Sequence, residues 1–178
     1  ISDGNGGTAT ATVNVTVTNV NDNPTAVNDS ITIAEDSAAT IVNVLANDSF
    51  APDVGETLTV TAVGSATSGT VTLVGGVVRY QPNPNFFGSD SFTYTVSDGN
   101  GGTATAAVNV TVTNVNDNPT AVNDAITIAE DSAATIVNVL ANDSFAPDVG
   151  ETLTVTAVGS ATSGTVTLVG GVVRYQPN

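Results

Sequence analysis

"TATAAVNVTVTNVNDNP", residues 103–119, joins a strand signal to a stop signal. In its first part small, β-branched and polar residues alternate. Val108, Val110 and Val112 therefore point to one side of a pleated strand, and Asn109, Thr111 and Thr113 to the other. The second part gathers Asn116, Asp117 and Asn118 before Pro119. Proline fixes φ and offers no N–H, so it marks a strand edge or start. Asn and Asp are turn formers and also hard oxygen ligands. The segment "NVNDNPTAVND" occurs at 19–29 and again at 114–124. A turn between strands and a metal site at a joint are the two readings of this repeated cluster.

The repetition extends along the whole chain. Residues 1–83 match 96–178 except at Ile1/Val96, Thr12/Ala107 and Ser30/Ala125. The period of 95 residues is the size of one ordinary domain. The stretch "PNPNFFGSDSFT" (84–95) occurs once. By period, 1–19 reads as the final strand of a preceding repeat, 20–114 as a complete repeat, and 115–178 as an incomplete following repeat lacking its last two strands. Within 20–114, "SITIAE", "ATIVNVLA", "TLTVTAVG", "GTVTLV", "VVRYQ", "DSFTYTV" and "TATAAVNVTVTN" are rich in Val, Ile and Thr and are separated by Gly, Pro, Asn and Asp. Seven short strands in one period predict an all-β fold. The expectation is a tandem of seven-stranded Greek-key β-sandwiches of immunoglobulin-like type, with no helix.

Composition narrows the function. The chain has 17 acidic residues against two basic ones, Arg79 and Arg174, for a net charge of −15, with no His, Cys, Met or Trp. Such charge with few aromatics is a signature of disorder. The 40% hydrophobic content argues for folding instead, because it is set in alternating patterns that bury a face. A polyanion repels phosphates, so anionic membrane surfaces are poor partners and no nucleic acid is expected. No apolar run reaches the roughly 20 residues of a spanning helix, so no membrane insertion is expected. The absence of cysteine fits the cytosol or a large secreted protein stabilised by something other than disulfides. Without His, Cys or Lys, only carboxylate pairs remain for acid–base chemistry. They recur in both copies rather than in one distinct cleft, and the chain is read as not an enzyme.

Strand direction places the acids. If seven strands alternate, the first ends at the bottom with Glu35 and Asp36. The second returns to the top and delivers Asp48, Asp53 and Glu56, and the sixth brings up Asp98 and Asn100. The seventh descends to Asn116, Asp117 and Asn118. Each joint then gathers acids from the bottom of one repeat, the linker and the top of the next. Ca²⁺ takes six to eight oxygens of these types; ordinary Asx-turn chemistry is the alternative. The predicted ligands at the complete joint are Glu35, Asn116, Asp117, Asn118, Asp143 and Asp148. At the top of the complete repeat they are Asp22, Asp48, Asp53, Glu56 and Asp98.

Other motifs have plainer readings. "DGNGG" is a tight loop: it matches the start of an EF-hand loop, but Asn14 stands where the final Glu would be and a strand follows. Asp29 shares parity with Val27, Ile31 and Ile33, which would point it inward; a bulge near the start of the strand is the preferred reading, over a role as a ligand. Tyr80, Phe86, Phe87, Phe92 and Tyr94 are core and loop-anchoring aromatics. Thr57, Thr59 and Thr61 are outward strand residues, and "NVT" at Asn14 and Asn109 matches a glycosylation sequon.

The segment "VSDGNGGTATAAVNVTVTNVNDNP" (96–119) resembles the end of a cadherin repeat, where an Asp-containing loop leads into the last strand and a DxNDNxP-type linker. "AED" at 34–36 is similar to the cadherin Glu motif, and Asp48 lies where the first DxD acid would. The linker departs in beginning with Asn19 or Asn114, and no DRE motif precedes the sixth strand. With "YQPNPNFFGSDSFTYTVSDGNGG", the unit resembles the bacterial cadherin-like and immunoglobulin-like tandem repeats of giant surface adhesins, RTX-type adhesins included. The resemblance implies an extracellular, secreted or cell-surface extender stiffened by Ca²⁺ at its junctions, partnered by identical repeats of the same or another chain. Its alternatives are a filament built by strand complementation between subunits and a calcium-dependent homophilic adhesion module. Residues 115–178 are expected to carry the first five strands of a sandwich with core surface exposed. Residues 7–18 are expected to be extended and paired outside the complete repeat.

Overall fold

Alternating Val and Thr become strand in this protein wherever a partner strand lies alongside. The computed structural model describes all 178 residues and holds ten strands and no helix. They are β1 (Asp29–Ala34), β2 (Thr40–Val42), β3 (Thr59–Val63), β4 (Gly69–Val74), β5 (Val77–Pro82), β6 (Gly88–Ser97), β7 (Thr103–Thr113), β8 (Thr135–Val137), β9 (Gly164–Val169) and β10 (Val172–Pro177). Contacts divide the chain into two compact units. One comprises Ile1–Thr32, Ser37–Pro82 and Ser89–Thr111; the other comprises Ile33–Asp36, Asn83–Gly88 and Val112–Asn178.

The seven strands β1–β7 form a four-stranded sheet in the order β1-β7-β6-β3 and a three-stranded sheet in the order β2-β5-β4. Every strand expected from the complete repeat is present. The β4–β5 hairpin turns on Gly75 and Gly76, whose φ values of 58° and 79° suit a two-residue turn that L side chains resist. Val74 is thereby set opposite Val77, and the ladder continues to Gly69 opposite Pro82. β3 runs antiparallel to β6 with an irregularity between Val60 and Ala62. Along β1 and β7 the contacts advance together. Ala107 N–H donates to Asn28 Oδ1, and the Thr113 hydroxyl donates to the Ile33 carbonyl. The pair is therefore parallel, as two descending strands must be. The core takes the predicted face of β7: Val108, Val110 and Val112 are buried, with Val60, Val78, Tyr80, Phe92, Tyr94 and Val96. Tyr80 stacks on Phe92 at 5.9 Å between centroids, a geometry that adds to area burial.

The last 64 residues are shaped differently from their near-identical counterparts. β8, β9 and β10 form a three-stranded sheet whose register repeats that of β2, β4 and β5, with Val173 opposite Val137 and Leu168. Residues 124–129 and 154–158, identical to β1 and β3 but for Ala125, are not strands. This corrects the expectation of five strands to three. β1 owes its ladder to β7 and β3 owes its ladder to β6, and no strand of either kind lies beside the second copies. Residues 1–19 do not form an eighth strand on the first sandwich. Ser2 bridges Thr8 in a local loop, and residues 9–24 carry no strand assignment. No helix is long and apolar enough to cross a membrane.

Candidate metal centre

Past the end of β1 the chain turns at Asp36, whose φ of 56° is left-handed, while Asn85 N–H donates to its Oδ1 at 2.9 Å. The residue before the turn, Glu35, continues the β1–β7 pairing: its N–H donates to the Thr113 carbonyl at 2.9 Å. Its carboxylate is 3% exposed and accepts Val115 N–H on Oε1 at 2.7 Å. Two residues further, Asp117 N–H donates to Oδ2 of the buried Asp148 at 2.6 Å. The three side chains converge, with one carboxylate oxygen from each of Glu35, Asp117 and Asp148 lying within 4.8 Å of the others.

Half of each carboxylate is unsatisfied. Glu35 Oε2, Asp117 Oδ2 and Asp148 Oδ1 are buried and accept no hydrogen bond. An orphaned buried acceptor costs about 1–3 kcal/mol, and more when charged. Like charges at this separation repel by roughly 3 kcal/mol per pair at an effective dielectric of about 20. The two arginines sit on β5 and β10 and form no ion pair with the cluster. A hard cation removes both penalties. Ligand oxygens on opposite sides of a Ca²⁺ ion are about 5 Å apart, so the three oxygens fit one ion. The donor set is all oxygen, which suits calcium rather than a softer metal.

At the start of the first repeat the same backbone geometry recurs without a counterpart of Glu35. Asp22 N–H donates to Asp53 Oδ2 at 2.7 Å, and Asp53 Oδ1 and Glu56 Oε2 are buried orphans. Asn21 donates to Asp98 Oδ2 at 3.2 Å, and Asn100 donates to Glu56 Oε1 at 2.8 Å. Asp98 folds its own loop by accepting N–H groups of Asn100 and Gly102 on Oδ1. Gly102 is required there, because a Cβ would overlap that carboxylate and crowd Asn23. Burial pushes the Asp98 carboxyl up, but the Asn100, Asn21 and Gly102 donors outweigh it and hold it below the usual range. Asp22, Asp53, Glu56 and Asp98 thus lie at one end of the sandwich, linked through Asn21, Asn100 and the Asp22 N–H.

The remaining predicted ligands have other partners. Asp48 accepts Val27 N–H on Oδ1 at 2.8 Å and lies 3.1 Å from the Tyr94 hydroxyl by either oxygen. Asp143 accepts Val122 N–H at 2.8 Å. Asn116 donates to the Asp117 carbonyl at 3.0 Å, and Asn118 is exposed. Sequence reading did not anticipate the meeting of Asp29, Asp48 and Tyr94, whose members are remote in the chain. Asp29 does face inward. Burial raises its carboxyl above the ordinary range, with the Asp48 charge adding and hydrogen bonds from Tyr94 and Asn47 opposing.

A family model described as "Bacterial Ig domain" matches residues 21–111 and 116–178. Among solved structures the chain is similar to a protocadherin gammaB7 EC3-6 cis-dimer structure, at 13% identity and a TM-score of 0.46 over 88% of this chain. It is also similar to an endo-fucoidan hydrolase of glycoside hydrolase family 107, at 20% identity and a TM-score of 0.35 over 87% of this chain. The chain spans 40% and 24% of the length of those two proteins. No curated protein sequence matches it.

Proposed function

The chain belongs to the bacterial Ig domain family, and from that premise we propose that it is a stretch of an extracellular adhesin or fibre whose repeats act as structural extenders stiffened by calcium. The repeats run from residue 20 to 114 and from 115 onward. The observation that carries this reading is the triad of Glu35, Asp117 and Asp148, each with a buried, orphaned oxygen. The triad draws on the end of β1, the linker after β7 and the loop at Asp148. An ion held there ties three segments that are remote in sequence. Asn116 and Asn118 flank Asp117, where their carbonyl oxygens can complete the shell.

Near-identity of the copies supports an extender over a recognition module. A surface that reads one ligand has to occur once, whereas identical modules in series supply length. The chain offers no His, Cys or Lys for catalysis.

Calcium titration of the 178-residue chain tests the proposal. Binding should raise the melting temperature, since an ion held only by the folded state stabilises by about 2.7 kcal/mol at a hundredfold excess over Kd. The radius of gyration should narrow to a single value. No change in either on adding calcium and then chelator would refute the reading.

A further inference from the structure

Two sheets leave four strand edges in the β1–β7 sandwich, those of β1, β3, β2 and β4. An unpaired edge is a template for another chain, and natural proteins blunt it with charge, a bulge or a very short strand. Three of these edges are blunted in those ways. β1 starts at Asp29 and runs into Glu35 and Asp36. β3 carries an extra residue, Thr61, between the pairs Val60–Val96 and Ala62–Thr95. β2 has only three residues. β4 has none of these defences: Gly69–Val74 is six residues long, free of charge and proline, and in unbroken register with β5, its only hydrogen-bonded neighbour.

The free edge has a defined hydrogen-bonding pattern. A two-residue turn on Gly75 and Gly76 makes Val74 and Val77 a hydrogen-bonded pair, and such pairs alternate along the ladder. The identical hairpin of β9 and β10 keeps that phase, since Asn178 N–H donates to the Ser163 carbonyl. Thr70 and Thr72 therefore bond to β5, while Val71 and Leu73 direct N–H and C=O away from it. Their side chains face the core yet are only half-buried, whereas Tyr80 and Val78 opposite them on β5 are 0% and 1% exposed. Charge also singles out this hairpin. In a chain of net charge −15, Gly69–Pro82 holds no acid and one of the two arginines.

We propose that β4 of one copy of this chain pairs antiparallel with β4 of a second copy, so that the three-stranded sheets of two repeats join into one and copies associate side by side. The edge is self-complementary. With Thr72 placed opposite Thr72 on a two-fold axis, Val71 of each copy exchanges hydrogen bonds with Leu73 of the other. Those inward side chains then cover one another, and the two threonines form a cross-strand pair on the outer face. A copy of the same chain is the fitting partner because the edges that meet bring no carboxylates together, whereas the acids elsewhere on each copy repel. β9 offers the same strand in the same register. The pairing involves no acid and is independent of calcium, so it stands apart from the reading given under Proposed function.

Sedimentation of the 178-residue chain over a wide concentration range in chelator reads the association. Mass should rise with concentration. Thr72→Lys combined with Thr167→Lys should abolish the rise without altering the melting of the β1–β7 sandwich, because both threonines are exposed. Cysteine crosslinking reads the register, since the chain has no cysteine of its own. On the two-fold axis the Cα atoms of position 72 lie about 4.5 Å apart, within reach of a disulfide. Thr70 instead faces Val74 of the other copy, which leaves the Cα atoms of position 70 roughly 13 Å apart. With Thr167→Lys silencing β9, Thr72→Cys should therefore form disulfide-linked dimers on mild oxidation, and Thr70→Cys should form none. A chain that stays monomeric at every concentration, association that survives the paired lysines, or equal crosslinking at positions 70 and 72 overturns the proposal.

Discussion

The Tyr80 hydroxyl donates to Asp90 Oδ2 at 2.9 Å, linking β5 of one sheet to β6 of the other. Asp90 also accepts N–H groups of Thr67, Ser68 and Ser91 at 3.1, 2.9 and 2.8 Å. Four donors on one carboxylate make it a clamp between the β3–β4 loop and β6. Burial pushes its carboxyl up, but the Ser91, Ser68, Tyr80 and Thr67 donors prevail and the net shift is downward from 3.8.

The sign of the pH effect follows. A carboxyl depressed in the folded state stabilises above its unfolded value of 3.8 and loses that contribution as pH falls through the lower folded value. Asp90→Asn should cost roughly 2 kcal/mol at pH 7, the scale of hydrogen bonds to a charged acceptor. It should also flatten the acid side of the stability curve. Urea melts of the β1–β7 sandwich between pH 2 and 7 read both.

Asp29 carries the opposite sign. Its carboxyl is raised, first by burial and further by Asp48, so the stability it lends below 3.8 is lost as pH rises through the folded value. Asp29→Asn should raise the melting temperature at neutral pH by a few degrees and change little at pH 3. Carboxyl NMR of wild type should find Asp29 titrating above the ordinary aspartate range.

Aspartates at the ends of the strands are expected to divide into two classes. Asp117→Ala should remove most of the calcium-induced rise in melting temperature, because Asp117 contributes an orphaned oxygen to the triad. Asp48→Ala should leave calcium binding unchanged while costing about 1 kcal/mol through the lost hydrogen bond to Val27 N–H, the Tyr94 hydroxyl keeping the Val27 carbonyl as its acceptor. Isothermal calorimetry with calcium, paired with melts in chelator, distinguishes the two classes.

The inward face of β7 and the strands on either side of Gly75 and Gly76 were legible in the sequence because period-two alternation and β-branched runs broken by glycine are local signals. Strand direction was enough to bring Glu35 and the linker together and to send Asp22, Asp53, Glu56 and Asp98 to the other end. The engagement of Asp48 with Tyr94 was not legible. It depends on where a side chain from β6 ends, 46 positions away. Nor was the fate of residues 124–129 and 154–158, since a strand is defined by a neighbour that can lie anywhere in the chain.

Tyr175 shows how far that dependence reaches. Its sequence surroundings are those of Tyr80, yet its hydroxyl donates to the Ser163 carbonyl at 2.7 Å, because no counterpart of Asp90 is beside it. Extending the chain past Asn178 with a copy of residues 84–114 supplies that aspartate together with second copies of β6 and β7. Residues 124–129 should then pair as β1 does and 154–158 as β3 does. Tyr175 should leave Ser163 for the new carboxylate, and Glu130 should become buried. Amide exchange at Ile126, Ile128 and Val155 should slow by several orders of magnitude, as expected when locally open backbone joins a cooperative sheet. Unchanged exchange at those three amides in the extended chain would show that pairing with β6 and β7 is not what makes these segments strands.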